Sequence, residues 1–308
     1  MATRKEVKNR IASVKNIHKI TRAMEMVAAA RLRRAEQRIE HLRPYAQAIR
    51  KLTRRAAEEV GDIPRVPVLE EREDFRNVGI LLITGDRGLA GAFNTNIIRE
   101  GMRLRGNFES DGARVVFAVV GRRGESALTF RKQEMAHTYT GFTDRPGFAN
   151  AREIAEQLTS AYVDEELDRV ELIYNRYVSP LTQYVRRQTL LPLQEAEVFG
   201  EKVEELAREE PEADPELVEA HKRALWIYEP EPEDLLKRLV PDYVNISVYR
   251  ALLESAASEH GARMTAMRNA AENAQSMISD LTLEMNRVRQ AEITQEILEV
   301  VAGAEALG

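Results

Sequence analysis

The chain has 308 residues, of which 44% are hydrophobic and 31% charged, enough for one large domain or two smaller ones. It contains no cysteine, which excludes disulfides, thiolate nucleophiles and zinc–thiolate sites. The net charge of -5 conceals an asymmetry: residues 1–58 carry 16 Lys/Arg against 5 Asp/Glu, and the remainder carries 29 against 45. The basic N-terminal arm predicts an acidic partner, which could be nucleic acid, an anionic membrane or an acidic protein surface.

Residues 1–58 are predicted to form a single N-terminal coiled-coil helix of roughly 80 Å, much longer than a globular domain needs. Pro44 removes one backbone donor and predicts a kink. Apolar residues recur at helical spacing in two runs: Val7, Ile11, Val14, Ile17, Ile20, Met24 and Val27, then Leu32, Ala35, Ile39, Leu42, Ala46, Ile49, Leu52 and Ala56. Residues 59–75, rich in proline and charge, are predicted to be an exposed linker.

Residues 76–194 are predicted to form a central Rossmann-like α/β domain. Strands are predicted from β-branched and apolar runs at Val78–Thr84, Arg114–Val120, Arg169–Val178 and Tyr184–Leu191. Helical stretches are predicted near 93–105, 122–131 and 149–162. Strands that alternate with helices indicate a sheet that is at least partly parallel.

Residues 195–229 are predicted to be an acidic mobile segment, because residues 195–219 hold 11 acidic and 2 basic residues. A C-terminal coiled-coil helix is predicted over 230–308. Its apolar seam steps by three and four residues over more than three heptads: Met264, Met267, Ala271, Ala274, Ile278, Leu281, Met285 and Val288. The fold class is therefore α/β plus a long coiled coil, in which the two chain ends pair as an antiparallel two-helix shaft.

The residues give no sign of an active site. The GDRGLAG loop, residues 85–91, follows a strand and precedes a helix, which is where phosphate loops lie. It lacks both the GK[ST] ending and the GxGxxG spacing, so a tight turn with exposed charges is the simpler reading. The five histidines have no metal-ligand spacing, and no Ser/His/Asp triad is evident. No cofactor is expected.

Nucleic-acid binding by the basic arm is an alternative function. Tyr45 is the only aromatic residue in residues 1–58, and the basic residues lie on several faces of the helix. Both observations argue against nucleic acid: a solvated coiled-coil face accounts for part of these basic residues, and a docking site for an acidic protein accounts for the rest. An α/β nucleotide enzyme is a third possibility.

The C-terminal end is unusually apolar. Residues 297–308 (ILEVVAGAEALG) contain only two charged residues. A free helix end normally carries more charge, so we expect an apolar sleeve from another chain, with packing against the chain's own first helix as the alternative.

Several long motifs resemble the γ subunit of F-type ATP synthases, of the bacterial type. ITRAMEMVAAARLRRAE (20–36) is similar to the N-terminal signature of that family. ASEHGARMTAMRNAAENA (257–274) and RQAEITQEILEVVAGAEAL (289–307) are similar to its C-terminal signature, and GDRGLAGAFNTNI (85–97) to its loop after the first strand. The resemblance spans nearly the whole chain in the expected order.

The resemblance implies a central rotor shaft that couples proton-driven rotation of a membrane c-ring to conformational change in the catalytic β subunits. It implies a non-catalytic role, with the α₃β₃ ring, ε and the c-ring as partners, no nucleic acid, and a peripheral position at the cytoplasmic face of the cell inner membrane. The chain lacks the cysteine-bearing regulatory insert of the chloroplast type, so thiol control of rotation is not expected.

The resemblance also implies three sets of contact residues. A catch loop of β is expected to meet Arg289, Gln290, Thr294 and Glu296. An acidic lever of β is expected near Met24, Arg263 and Arg87. The bearing tip is expected to comprise Ile297, Val300, Val301 and Leu307.

Overall fold

The structure, a computed structural model, describes residues 3–60, 66–72, 75–194 and 231–305. The predicted acidic segment 195–229 and the tip residue Leu307 lie outside these residues. Two long helices dominate: α1 (Arg4–Val60, 57 residues) and α5 (Pro232–Glu305, 74 residues). At 1.5 Å per residue they are about 85 and 110 Å long. Each helix continues through an internal proline, Pro44 in α1 and Pro241 in α5.

Helices α1 and α5 pack side by side in opposite directions, as predicted. Arg4, at the start of α1, lies 4.0 Å from the carboxylate of Glu292 near the end of α5, whereas Glu25 pairs with Arg268 at 3.0 Å. As the residue number rises along α1, the number of the contacted residue on α5 falls, so the two helices are antiparallel. Because α1 begins beside Glu292, residues 293–305 of α5 project past it for about 20 Å.

The seam of α5 is the predicted one. Met264, Met267, Ala271 and Ala274 are buried, and the remaining four seam positions down to Val288 are half-buried between exposed neighbours. The sequence has no polar residue at any of these heptad positions, so its hydrophobic period and its packing period coincide.

The seam of α1 differs from the prediction in its first half. Its buried and half-buried positions step by four and three residues as Val7, Ile11, Val14, His18, Thr21, Glu25, Ala28, Leu32, Ala35, Ile39, Leu42, Ala46, Ile49, Thr53 and Ala56. Polar side chains thus occupy the seam between Val14 and Ala28. The predicted seam residues Ile17, Ile20 and Val27 are instead exposed, as is Leu52, whose place Thr53 takes.

Glu25, in the polar part of this seam, is satisfied by hydrogen bonds. The Glu25 carboxylate accepts hydrogen bonds from Arg268 of α5 at 3.0 Å and from Arg22 at 2.8 Å. Burial opposes ionisation, but these guanidinium contacts outweigh it and hold the pKa of Glu25 below its usual range. A polar contact at a seam position favours one register and direction of two helices, so this partly buried pair supports the observed arrangement of α1 on α5.

The α/β part is a five-stranded sheet in the order β3-β2-β1-β4-β5. The strands are β1 (Asn77–Ile83), β2 (Arg114–Val120), β3 (Met135–Tyr139), β4 (Arg169–Tyr177) and β5 (Gln183–Leu191). All neighbouring pairs are parallel except β4 and β5. The edge strand β3 was not predicted, because MAHTY carries little apolar character and most of its side chains are exposed.

Helices cover both faces of the sheet. Helices α2 (Phe93–Ser110) and α3 (Arg122–Phe130) pack on one face, and α4 (Phe148–Val163) packs on the other together with the first part of α5. Residues 251–260 of α5 are all buried, because this stretch contacts the sheet on one side and α1 on the other. We call the sheet with α2, α3 and α4 the head, and the paired helices α1 and α5 the shaft. The head is therefore built around one of the two shaft helices, α5.

The segment before β1 corrects the prediction of an exposed linker. Val66 and Val68 are buried in the core shared by the sheet, α4 and α5. Arg72 donates hydrogen bonds to the carbonyl oxygens of Tyr162 (2.6 Å) and Leu167 (2.9 Å). Residues 66–72 thus belong to the head; the division of the chain into domains otherwise stays a prediction. None of the helices in the described ranges is apolar enough over a sufficient length to cross a membrane.

Candidate functional site

The projecting end of α5 offers an exposed apolar surface. Five large apolar side chains in this end are exposed, and no other part of the described chain covers them: Ile293, Ile297, Leu298, Val300 and Val301. The structure therefore brings the described residues of the predicted bearing tip together on one helix end. Exposed apolar side chains in such a cluster are typical of a surface that another protein covers.

The predicted catch residues lie just before this tip. Arg289, Gln290, Thr294 and Glu296 are all exposed, and their spacing places them on one side of α5. The hydroxyl of Thr294 donates to the carbonyl oxygen of Gln290 at 2.9 Å. The other three side chains are free to contact a partner.

A second apolar surface lies on α1 and was not predicted as such. Ile17, Ile20 and Val27 are 52, 59 and 53% exposed, and Met24, one of the predicted lever contacts, is half-buried beside them. We call Ile17, Ile20 and Val27 the outer stripe. These residues share a helical period with the seam, so their sequence pattern alone could not assign them to the outside of the coiled coil.

The GDRGLAG loop is held at the carboxyl edge of the sheet by Asp86. Its carboxylate accepts hydrogen bonds from the backbone N–H groups of Gly141 (2.9 Å), Thr143 (3.2 Å) and Arg122 (3.1 Å). Burial opposes ionisation, but these bonds prevail and hold the pKa of Asp86 below its usual range. One side chain thus joins the loops that follow β1, β2 and β3.

Asp144 connects this edge of the head to the shaft. Its carboxylate accepts a hydrogen bond from the Arg31 guanidinium on α1, and the Arg87 guanidinium lies 3.6 Å away. His260 of α5 is 4.0 Å from the other carboxylate oxygen. Arg87, predicted as a lever contact, remains largely exposed and so can still meet a partner.

Arg263, the third predicted lever contact, is buried. It is 8% exposed, and its guanidinium donates to Glu259 one turn earlier and to the carbonyl oxygen of Gly88 at 3.2 Å. Its observed contacts are therefore internal: it fastens the GDRGLAG loop to α5, and little of it is left for another subunit.

Glu259 fills the space in front of the same loop. A Cβ atom on Gly85 would lie 2.7 Å from the Glu259 carboxyl carbon, so a larger residue at position 85 would have to displace this carboxyl group. Burial raises the pKa of Glu259, and the nearby Asp144 and Asp86 act in the same direction against Arg263. Glu259 thus occupies the space through which a phosphate group would approach the loop, which argues against nucleotide binding at residues 85–91.

His260 is 2% exposed and packs between Asp144 and Arg263. Burial lowers its pKa to about 4, assisted by Arg263 and Arg31 and opposed by Asp144. The imidazole is therefore neutral near pH 7, and its contact with Asp144 is a polar contact and not an ion pair at that pH.

The burial of His260 predicts a pH dependence of stability. The unfolded chain binds a proton at His260 near pH 6.5, whereas the folded chain does so only near pH 4. Stability should fall as pH falls through this window, by up to roughly 3 kcal/mol from this residue. The measurement is the urea midpoint against pH: His260→Gln should flatten the acid side of the curve, and His137→Gln, at an exposed position on β3, should not. Equal curves for wild type and His260→Gln would contradict the assignment.

Comparison with known proteins agrees with this architecture. Residues 3–307 match the family model described as ATP synthase. The ATP synthase gamma chain of Rubrobacter xylanophilus is 42% identical over 307 residues, which is 100% of this chain and 99% of that relative. The gamma chain of Nostoc punctiforme is 43% identical over 319 residues, with both chains covered completely.

Two solved structures show the same fold. A chain of the Tetrahymena thermophila mitochondrial ATP synthase central stalk and c-ring is 27% identical with a TM-score of 0.57, over 82% of this chain and 99% of that one. A chain of the Euglena gracilis mitochondrial enzyme is 21% identical with a TM-score of 0.64, over 99% of this chain and 94% of that one. The coiled coil, the sheet and the full-length match together place this chain in the ATP synthase gamma-chain family.

Proposed function

We propose that this chain is the non-catalytic central rotor shaft of an F-type ATP synthase. The observation that carries the proposal is the shaft itself, an antiparallel coiled coil with an apolar tip that projects past its partner helix and with large apolar side chains on its outside. A protein that functioned alone would gain nothing from exposing these surfaces. The full-length similarity to gamma chains supports the same role.

The mechanism follows from the lack of symmetry in the shaft. The outer stripe lies on α1 alone, and only α5 reaches the tip. A ring of three β subunits around this shaft meets a different surface at each position, so each β subunit is biased towards a different conformation. Rotation then exchanges these biases, which is coupling through differential contacts in each state.

The proposed partners divide along the shaft. The α and β subunits surround the tip and the outer stripe, with the catch loop of β at Arg289, Gln290, Thr294 and Glu296 and its acidic lever near Met24 and Arg87. The head is placed towards ε and the c-ring. The position of the complex is then peripheral, at the cytoplasmic face of the cell inner membrane.

The alternative of a nucleic-acid-binding coiled coil has no support among the relatives. Part of the basic excess of residues 1–58 also has an internal role, since Arg31 binds Asp144 and Arg22 binds Glu25. We therefore propose that the partners of the basic residues are protein surfaces and not nucleic acid.

The catch assignment is tested by the pair Arg289→Ala with Gln290→Ala. Exposed side-chain contacts contribute about 1 kcal/mol or less each, and most torque comes from many small packing contacts. We therefore expect a partial effect, with coupled ATP hydrolysis and proton pumping about three- to tenfold lower and assembly retained. The measurement is ATP-driven proton pumping by the reconstituted complex.

The control is Gln295→Ala, an exposed side chain on the opposite side of α5 from Arg289 and Gln290. It should leave pumping within about twofold of wild type. If the pair leaves assembly, hydrolysis and pumping all unchanged, the catch assignment is wrong.

A further inference from the structure

A cavity of about 440 Å³ lies where α1, the loop between β3 and α4, and α5 meet. Its charged lining comes from two sides: Arg31, Arg34 and Arg38 from α1, and Arg145 with Asp144 from the loop. Its floor on α5 is formed by Leu253, Ala256 and His260, which are almost fully buried. This cavity is separate from the GDRGLAG loop, where Glu259 occupies the approach.

The cavity carries an excess of positive charge. Asp144 is its only acidic lining residue, and the Arg31 guanidinium already binds that carboxylate. Among the residues that the structure describes, no carboxylate forms an ion pair with Arg34, Arg38 or Arg145. Three guanidinium groups therefore line one concavity without counter-charges.

Such an arrangement destabilises the folded chain through repulsion, and a concave low-dielectric wall strengthens the positive field inside it. Guanidinium groups present paired N–H donors whose geometry fits phosphate oxygens. A volume of 440 Å³ is in the range of small-molecule sites. Several guanidinium groups converge on one cavity, so a compact ligand with several negative charges fits it better than an acidic protein surface, whose carboxylates are spread apart.

We infer that this cavity binds a small polyphosphate, a ligand with at least two linked phosphate groups. Arg34 and Arg38, one helical turn apart, bind it from α1, and Arg145 binds it from the head. The ligand then bridges the head and the first shaft helix beside Asp144. A free inorganic polyphosphate and a nucleoside polyphosphate share this chemistry, and the experiment below distinguishes them.

The test is isothermal titration of the purified full-length chain with tripolyphosphate and, separately, with ATP, without magnesium and at near-physiological salt. The variant Arg34→Gln with Arg38→Gln should weaken binding of both ligands at least tenfold. The control is Arg33→Gln with Arg43→Gln, which makes the same charge change at exposed α1 positions outside the cavity lining. It should weaken binding less than threefold.

Each arm of the experiment decides the inference. Tighter binding of ATP than of tripolyphosphate supports it and identifies the nucleoside form; equal binding supports it and identifies the phosphate chain alone. Absence of binding to the wild-type chain, or equal weakening by both double variants, overturns it. So does a polyglutamate peptide that binds through Arg34 and Arg38 while tripolyphosphate does not. Because the chain is tested by itself, the outcome does not depend on its proposed role as a rotor.

Discussion

Replacing Ile17, Ile20 and Val27 together with aspartate is expected to weaken assembly with the α and β subunits at least a hundredfold. These outer-stripe side chains are about half exposed in the free chain. Burying the remaining area of three such side chains contributes about 3–5 kcal/mol, and each aspartate adds a desolvation cost on assembly. The measurement is the concentration of chain that half-saturates assembly with purified α and β subunits.

Two comparisons separate a lost contact from a damaged fold. The thermal midpoint of the isolated variant should stay close to that of wild type, because none of the three positions is in the seam. A triple serine variant, which removes the apolar surface without adding charge, should lose assembly to an intermediate extent. Unchanged assembly of the triple aspartate variant would show that the outer stripe is not a partner surface.

Replacing Arg263 with methionine is expected to destabilise the chain by about 3 kcal/mol, because removing one partner leaves the other charge buried and uncompensated. That other charge is Glu259, which is 2% exposed. The double variant Arg263→Met with Glu259→Gln should recover much of the loss. The measurement is a double-mutant cycle on urea unfolding of the full chain.

The sign of the pH dependence strengthens this test. The folded-state pKa of Glu259 lies above its ordinary value of 4.5, so the folded chain holds a proton that the unfolded chain has released. Stability from this group is present below about pH 4.5 and is lost as pH rises through the folded pKa. The loss should be deeper in Arg263→Met, which lacks the opposing charge, and absent in the double variant. Equal stability of single and double variants at every pH would contradict the account.

The sequence predicted the shaft well where packing and hydrophobicity coincide. From Met264 to Val288 every seam position is apolar, and the structure buries or half-buries those same positions. The prediction was wrong in the first half of α1, where apolar residues recur on two sides of one helix. There the seam contains His18, Thr21 and Glu25. Periodicity alone does not distinguish an apolar surface that packs against the same chain from one that packs against another protein.

The head shows a different limit. Its strands β1, β2, β4 and β5 follow from apolar runs, but β3 is an exposed edge strand without such a run. The contacts that hold the head on the shaft join residues far apart in sequence, such as Arg31 with Asp144 and Arg263 with Gly88. No local pattern marks these residues, so only the fold reveals that Arg263 acts inside the chain.

The most direct test of the central claim is single-molecule observation of the head in an assembled complex whose α and β subunits are fixed to a surface. Since the chain has no cysteine, Phe130→Cys gives one attachment point for a probe at a highly exposed head position. The account predicts unidirectional stepwise rotation of the probe when ATP is added. A probe that stays still while the same complexes hydrolyse ATP would contradict the account.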